Sequence, residues 1–122
     1  MEMDLEKRKE YLSLYPLQQA RIRRYDILTL RNRDKKKKYI AKTNEARLIR
    51  DCIENDIEKI KDKTESEVLA QKYLCGLSLE ETAEALNYSK RQVERIHLKA
   101  LDSLKPTMED KNGTGNFTLR PQ

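Results

Sequence analysis

The sequence predicts an all-α protein, and three observations carry the prediction. Gly and Pro occur three times each in 122 residues, which is too few for a chain of many strands and turns. Hydrophobic residues make up 37% and charged residues 39% of the chain, whereas a compact globule usually has roughly 45 to 50% apolar residues. Thin helical layers or a coiled coil therefore fit better than one thick core. The third observation is a run of three helix-start signals after residue 63.

The three helix-start signals define a C-terminal domain over residues 64–105. Each pairs a hydroxyl residue with Glu or Gln three positions later: Thr64 with Glu67, Ser78 with Glu81, and Ser89 with Gln92. In such a capping box, two side chains satisfy backbone N–H groups that the start of a helix leaves free. Gly76 is suited to the left-handed conformation that closes a helix, and Asn87 and Tyr88 allow only a tight turn. The domain is therefore predicted to be a three-helix helix-turn-helix.

Apolar residues at helical spacing predict one small core shared by these three helices. The expected core positions are Val68, Leu69, Tyr73, Leu77, Leu79, Ala83, Leu86, Val93, Ile96, Ala100, Leu101 and Leu104. So small a unit has little stability to lose. Replacing Ile96 or Leu86 with Ala is expected to cost about 2 to 5 kcal/mol.

The outward side of the third predicted helix carries hydrogen-bonding side chains. Arg suits the O6 and N7 edge of guanine, Gln suits adenine, and Glu suits the amino group of cytosine. A helix-turn-helix presents this helix to the DNA major groove, so its first two turns are expected to contact bases. The expected base-contacting residues are Lys90, Arg91, Gln92, Glu94 and Arg95. On the alternative interpretation, Lys90 and Glu94 form a helical salt pair and the rest of the face is simply solvated.

A second set of residues is expected to contact DNA phosphates. It contains Ser78, Ser89, His97, Lys99, Lys72 and the lysine run Lys35, Lys36, Lys37 and Lys38. His97 is the sole histidine and has no nucleophile or metal-ligand partner beside it, so a surface or phosphate-facing position is expected rather than catalysis. The lysine run equally fits a solvated stretch of charge without a specific partner.

Residues 1–63 are predicted to form a basic helical hairpin or coiled-coil region that serves dimerisation and non-specific DNA contact. Helices are expected over Asp4–Leu14, which Pro16 ends, over Leu17 to about Arg33, and over Tyr39–Lys61, with the lysine run either in a loop or in a solvated helix segment. The last helix has a narrow, isoleucine-rich apolar stripe, which cannot be stable alone and needs a partner helix. That partner is either the preceding helix, folded back as a hairpin, or the same helix of a second subunit.

Positive charge is concentrated in this N-terminal region. Between Arg21 and Arg50 there are twelve basic and three acidic residues, a local excess of nine charges. Between Thr64 and Lys105 there are six basic and seven acidic residues. Attraction to a polyanion is therefore expected to come largely from the N-terminal half, as a long-range and salt-sensitive effect.

Other features exclude several classes of protein. Cys52 and Cys75 lie in no metal-ligand spacing, so reduced, half-buried thiols are expected and a metal site is not. Neither a run of about 18 apolar residues nor a signal-peptide core is present, which favours the cytoplasm of a bacterial host. A glycine-rich phosphate loop and a second His are also lacking, so neither an enzyme nor a cofactor is expected. Residues 106–122 have few apolar side chains and are predicted to be a disordered tail.

The stretch from Gln71 to Val93, together with Lys99-Ala100-Leu101, resembles region four of bacterial sigma factors. In that region the family shows a tyrosine, then Gly-Leu-Ser, Glu-Ile-Ala, a Leu, Ser and Val, and Arg-Ala-Leu; the chain has Tyr73, Gly76-Leu77-Ser78, Glu81-Thr82-Ala83, Leu86, Ser89 and Val93. Thr82 stands where the family has Ile and weakens packing slightly. Lys99 stands where the family often has Arg, which removes a bidentate phosphate contact. With its short, charged N-terminal half, the chain is similar to phage late-transcription regulators of the ArpU and RinA type, found in phages and prophages of Gram-positive bacteria.

The resemblance implies a sequence-specific transcription regulator that binds double-stranded DNA at a late promoter as an activator, with host RNA polymerase as a candidate partner. No counterpart of the sigma-factor region that melts a promoter is present. The family's groove-facing positions fall on Lys90, Arg91, Glu94 and Arg95. A homodimer through the N-terminal helices is expected. Two alternatives stay open: a phage DNA-packaging adaptor like a small terminase subunit, and an RNA polymerase-binding interaction module with little DNA contact of its own.

Overall fold

The computed structural model describes residues 3–121, and within them six α-helices account for most of the chain. The helices are α1 (Leu5–Leu12), α2 (Tyr15–Arg31), α3 (Lys36–Glu58), α4 (Lys63–Leu69), α5 (Leu79–Leu86) and α6 (Lys90–Ser103). Two short strands, β1 (Met108–Glu109) and β2 (Thr118–Leu119), follow α6. The predicted all-α class, with a helical hairpin before a helix-turn-helix, is confirmed.

The first two helices begin at simple local signals. Asp4 caps α1, because its carboxylate accepts a hydrogen bond from the Lys7 backbone N–H at 2.8 Å. α1 ends at Leu12, two residues before the predicted end. Pro16 lies in the first turn of α2, where the N–H that proline lacks would have had no helical partner.

α2 and α3 pack against each other as a hairpin, so the apolar stripe of α3 has its partner within the same chain. The rings of Tyr25 and Tyr39 lie 5.9 Å apart in this interface. A 3₁₀ turn, Arg33–Lys35, joins the two helices, and Lys36 to Lys38 form the first turn of α3. All four lysines of the run are exposed, so the run is a solvated helical segment, one of the two arrangements that the sequence left open.

The start of the helix-turn-helix differs from its prediction. Thr64 lies inside α4, and the capping box predicted at that residue is wrong. The carboxylate of Asp62 caps the helix instead, accepting from the backbone N–H groups of Thr64 and Glu65 at 2.9 and 3.0 Å. α4 continues as a π-helical turn, Ala70–Leu74. Gly76, at φ +74°, takes the left-handed conformation that the sequence predicted.

The two other predicted capping boxes are confirmed. The Ser78 hydroxyl accepts from the Glu81 N–H at 3.0 Å, and the Glu81 carboxylate accepts from the Ser78 N–H at 3.1 Å. Ser89 and Gln92 make the same pair of bonds at the start of α6, at 3.1 and 2.9 Å. Between the two helices, Asn87 is left-handed at φ +59°, which ends α5 and produces the tight turn.

Two hydrophobic clusters replace the single core predicted for the helix-turn-helix. The larger, here called the main core, contains Tyr11, Leu12, Tyr15, Ile53, Ile57, Ile60, Leu69, Tyr73, Ala100, Leu101, Leu104, Met108 and Phe117. The smaller, here called the small core, has only Val68, Ala83 and Val93 buried, with Leu79, Leu86 and Ile96 half-buried around them. Most of the buried apolar side chains of the predicted regions 1–63 and 64–105 therefore pack into one core that the two regions share.

The segment after α6 folds back onto the main core, so the disordered tail predicted for 106–122 is wrong over its described part. Met108 and Phe117 are buried, and the Phe117 ring lies 5.5 Å from that of Tyr11. β1 and β2 pair antiparallel, and the Asp110 carboxylate accepts two backbone N–H bonds within their connecting loop. The two buried side chains are far apart in sequence, so no helical or strand periodicity indicates them.

A buried carboxylate ties this segment to the N-terminal helices. Asp56 of α3 is 2% exposed and accepts from the Tyr11 hydroxyl at 2.6 Å. It also accepts from the Thr107 backbone N–H at 2.8 Å and from the Thr107 hydroxyl. Because a buried carboxylate without such donors would be costly, these bonds fix α1, α3 and the segment after α6 to one another.

Candidate nucleic-acid interface

α6 has one buried side and one exposed side. Val93, His97, Ala100 and Leu101 face the protein. The predicted base-contacting residues are all exposed on the first two turns: Lys90, Arg91, Gln92, Glu94 and Arg95. The main core fixes the C-terminal half of α6, and the small core supports the half that carries these five residues. The structure thus brings the five predicted base-contacting residues together on one surface of α6, here called the reading face, and α6 is called the reading helix. Their contact with bases stays a prediction.

Lys90 is paired with α5 and not within α6. Its Nζ lies 2.8 Å from Oε1 of Glu80, and this hydrogen bond raises the pKa of Lys90 and lowers that of Glu80. The alternative of a salt pair between Lys90 and Glu94 is therefore wrong. Arg91, Glu94 and Arg95 take part in no ion pair or side-chain hydrogen bond among the residues described. Their hydrogen-bonding groups are available to a partner without first breaking an intramolecular contact.

Three predicted DNA-contacting residues, Ser78, Ser89 and Gln92, already make capping hydrogen bonds at the starts of α5 and α6. Oε1 of Gln92 accepts the Ser89 N–H at 2.9 Å, which leaves the amide N–H groups of Gln92 for a base. The hydroxyl oxygens of Ser78 and Ser89 each accept a backbone N–H from the first turn of α5 and α6. Both serines are exposed, so their hydroxyl hydrogens can still be donated to a phosphate.

The prediction that His97 faces a phosphate is wrong. The side chain is 6% exposed, and its Nε2 lies 2.9 Å from the hydroxyl of Tyr73. Burial, with the nearby charges of Lys72 and Lys9, lowers the pKa of His97 to about 4, and burial raises the pKa of Tyr73 to about 12. His97 is therefore neutral near pH 7 and anchors the middle of α6. Its spacing from Val93 already placed it on the buried stripe, a signal that its polarity obscured.

The other predicted phosphate contacts are dispersed over the molecule. Lys99 is exposed on α6, one turn beyond Arg95. Lys72 is half-buried, with its Nζ 5.4 Å from the centroid of the Tyr73 ring. Lys35 to Lys38 lie at the distal end of the hairpin, and even Lys38 is about 22 Å along α3 from the main-core residue Ile53 at about 1.5 Å per residue. The lysine run and the reading face of α6 are thus on separate elements.

The positive charge of the α2–α3 hairpin is mostly uncompensated. Among residues 3–121, ion pairs engage Arg21 and Lys42 with Glu45, and Arg50 with its neighbour Asp51. The other nine basic residues between Arg21 and Arg50 form no ion pair within that described range. Their field is therefore free to attract a polyanion.

Two residues that position the reading helix carry no clear signal in the sequence. Thr82, which occupies the family's Ile position, is fully buried, and its hydroxyl donates to the Ser78 carbonyl at 2.8 Å. The hydroxyl is thereby satisfied despite its burial. Glu80 holds Lys90 across the turn between α5 and α6, a pairing of residues ten apart that helical spacing does not indicate.

The described residues include no group of His, Cys, Asp and Glu arranged to hold a metal ion. Cys52 is half-buried, as predicted, and burial raises the pKa of its thiol. Cys75 is exposed, which differs from the half-buried position predicted. Within residues 3–121, no helix has the length and apolar character needed to cross a membrane.

Residues 62–105 match the family model for sigma-70, region 4. They form a sigma region 4-like helix-turn-helix. The match begins at the Asp62 cap and covers α4, α5 and α6, so its boundaries agree with the structural module. A sigma region 4-like module is a DNA-binding unit with a transcription-related role. No curated protein and no solved structure matches the chain significantly.

Proposed function

We propose that the chain is a non-enzymatic, sequence-specific transcription regulator that binds double-stranded DNA, and more narrowly a phage or prophage late-gene activator. It would act in the cytoplasm of a bacterial host. The observation that carries the proposal is the exposed N-terminal half of α6, where Arg91, Glu94 and Arg95 project from a sigma region 4-like module. The phage assignment is supported by the resemblance to regulators that join such a module to a short, charged N-terminal half.

The base-reading chemistry is divided among three side chains. Arg91 and Arg95 stand one turn apart on α6, and each guanidinium can donate two hydrogen bonds to O6 and N7 of a guanine. Glu94 lies between them in sequence and can accept from the amino group of a cytosine. Each well-formed bidentate contact contributes about 1 to 3 kcal/mol of discrimination against the wrong base.

The hairpin supplies the charge that the sigma region 4-like module lacks. The module has one more acidic than basic residue between Thr64 and Lys105, whereas the stretch from Arg21 to Arg50 has an excess of nine basic residues. Because the main core contains residues of both parts, this charge is held at a fixed place relative to α6. We therefore assign non-specific phosphate attraction, including that of Lys35 to Lys38, to the hairpin.

Two partners belong to the proposal, host RNA polymerase and a second copy of the chain. The stripe of α3 that favoured dimerisation is covered by α2 and, at its isoleucine-rich end, by the main core. The dimer is therefore supported only by the apolar side chains that the hairpin leaves exposed, which are Leu17, Ile27, Leu30, Ile40 and Leu48. Light scattering distinguishes a dimer from the large ring that a DNA-packaging adaptor would form.

Replacing both Arg91 and Arg95 with Ala tests the proposed reading face. The ratio of specific to non-specific affinity should fall at least about thirtyfold, because two base contacts worth about 1 to 3 kcal/mol each are lost. Gel shifts would compare a duplex selected by the wild-type protein with a mixed-sequence duplex.

Lys99→Ala is the matched control, since it removes a charge from the same exposed side of α6 without removing a proposed base contact. It should weaken binding to both duplexes alike. A double Arg91 and Arg95 variant that footprints the same site with unchanged affinity would show that this face does not read bases.

A further inference from the structure

A groove lies where α2 passes the turn that precedes α5. Its walls are Gln19, Ala20 and Arg23 from α2 and Leu74, Cys75 and Gly76 from the turn, and its volume is about 310 Å³. This α2 groove borders the helix-turn-helix directly, since Ser78, the cap of α5, follows Gly76 by two residues. Apart from Gly76, which closes the helix before the turn, none of these residues has a part in the helix-turn-helix signals or in the proposed base contacts.

The surface of the α2 groove is open, and the one charged residue in its lining is Arg23 on the α2 wall. Gln19, Ala20 and Arg23 are exposed, and Arg23 takes part in no ion pair among residues 3–121. On the opposite wall Gly76 presents bare backbone, and a Cβ built at that glycine would meet nothing within 4 Å. An extended, negatively charged chain can therefore approach the turn closely beside a guanidinium suited to bidentate phosphate contact.

The main core holds the two walls of the groove in a fixed position relative to each other. Tyr15, at the start of α2, and Tyr73, in the π-helical turn, both belong to that cluster and both line the groove. The same core holds Leu101 of α6. The backbone of α2, which carries Arg23, is therefore anchored to the same core as α6.

We propose that the α2 groove binds the phosphodiester backbone of the same duplex that α6 reads, with Arg23 as the phosphate contact. The inference rests on the proposed DNA-reading function and extends its interface onto the N-terminal helices. It makes α2, an element outside the sigma region 4-like module, part of the DNA-binding surface.

The two cysteines provide a direct test in the intact protein. Cys75 is exposed in the groove, whereas Cys52 is half-buried on α3 outside it and serves as the internal control. Alkylation with iodoacetamide would be followed at each residue by peptide mass, with and without enough mixed-sequence duplex to shift all of the protein in a gel. Cys75 should react several-fold more slowly in the complex, and Cys52 at an unchanged rate.

A complete gel shift with an unchanged rate at Cys75 would overturn the groove assignment and leave the reading function of α6 intact. The absence of any gel shift, on selected or mixed-sequence DNA, would overturn both. The two failures are thus distinguishable in one experiment.

Charge removal gives a second, independent test. Arg23→Gln should make the slope of log affinity against log salt less steep, that is, less negative by about 0.9, because one phosphate contact is lost. Arg21→Gln is the matched control, because Arg21 lies two residues away, pairs with Glu45 at 3.5 Å and lines a different pocket, with Met108 and Leu119. Equal slopes for the Arg23 and Arg21 variants, both folded by circular dichroism, would contradict the proposal.

Discussion

The two ends of α6 are supported very differently. Ala100, Leu101 and Leu104, at the C-terminal end, lie in a main core shared with α1, α3 and the segment after α6. At the N-terminal end, Val93 lies in the small core, where only Val68 and Ala83 are buried with it and the other apolar side chains are half-buried. Most of the buried apolar surface therefore lies away from the end that carries the proposed base contacts.

This difference shows how a short, highly charged chain can hold a reading helix. The exposed end needs charged side chains, so it contributes little hydrophobic burial, and capping hydrogen bonds at Ser78 and Ser89 compensate in part. The other end obtains its stability from the N-terminal helices, which also carry the positive charge. Stability and charge thus both come from the N-terminal half, although the sigma region 4-like module lies outside that half.

The largest expected effect comes from removing one large side chain of α6 from each of the two cores. Leu101→Ala should lower the free energy of unfolding by about 2 to 5 kcal/mol, since Leu101 is fully buried in the main core. Ile96→Ala should cost less than about 2 kcal/mol, below the value expected from sequence, because Ile96 is only half-buried beside the small core. Urea denaturation of the two variants measures the difference in their free energies of unfolding. The two variants are well matched, because Leu101 and Ile96 lie on the same helix and have side chains of equal volume.

Equal losses for the two variants would show that the reading end is supported as strongly as the other, and the comparison would fail. If Leu101→Ala unfolds the hairpin and the helix-turn-helix in a single transition, the shared core is confirmed in solution.

A smaller effect on the free energy of unfolding is expected at low pH, where His97 in the middle of α6 becomes protonated. The pKa of His97 is lowered from 6.5 to about 4, so the unfolded chain binds this proton more readily than the folded one. The contribution of His97 is full above pH 6.5 and is lost as the pH falls through about 4, by up to about 3 kcal/mol. His97→Gln should therefore lose less stability than the wild type over that interval.

Urea denaturation of both proteins at a series of pH values tests this, because the carboxylates titrate alike in the two chains. Parallel curves between pH 6.5 and 4 would mean that burial of His97 does not oppose its protonation.

The sequence predicted the parts of the fold that local signals determine. The capping boxes at Ser78 and Ser89 and the left-handed Gly76 are properties of a few adjacent residues, and all were predicted. The cap at Asp62 was missed because Thr64 offered a second hydroxyl-and-glutamate pattern two residues later. An aspartate cap is equally common, so the signal was present in the sequence.

The remaining errors concern contacts between residues that are distant in the chain. Phe117 packs on Tyr11, and Thr107 donates to Asp56, yet neither pairing has a periodic signature. His97 was placed outside because no partner for it stands nearby in the sequence, whereas its hydroxyl partner, Tyr73, lies on another helix. The exposed set on α6 could be predicted because amphipathic spacing is local.

Selection of bound sites from random duplex DNA by the wild-type protein tests the central claim most directly. The proposed function predicts enrichment of one sequence containing guanines for Arg91 and Arg95, and an inverted repeat with regular spacing if two copies bind together. Recovery of DNA without enrichment of any sequence would contradict base reading by α6 and leave only non-specific attraction to the basic hairpin.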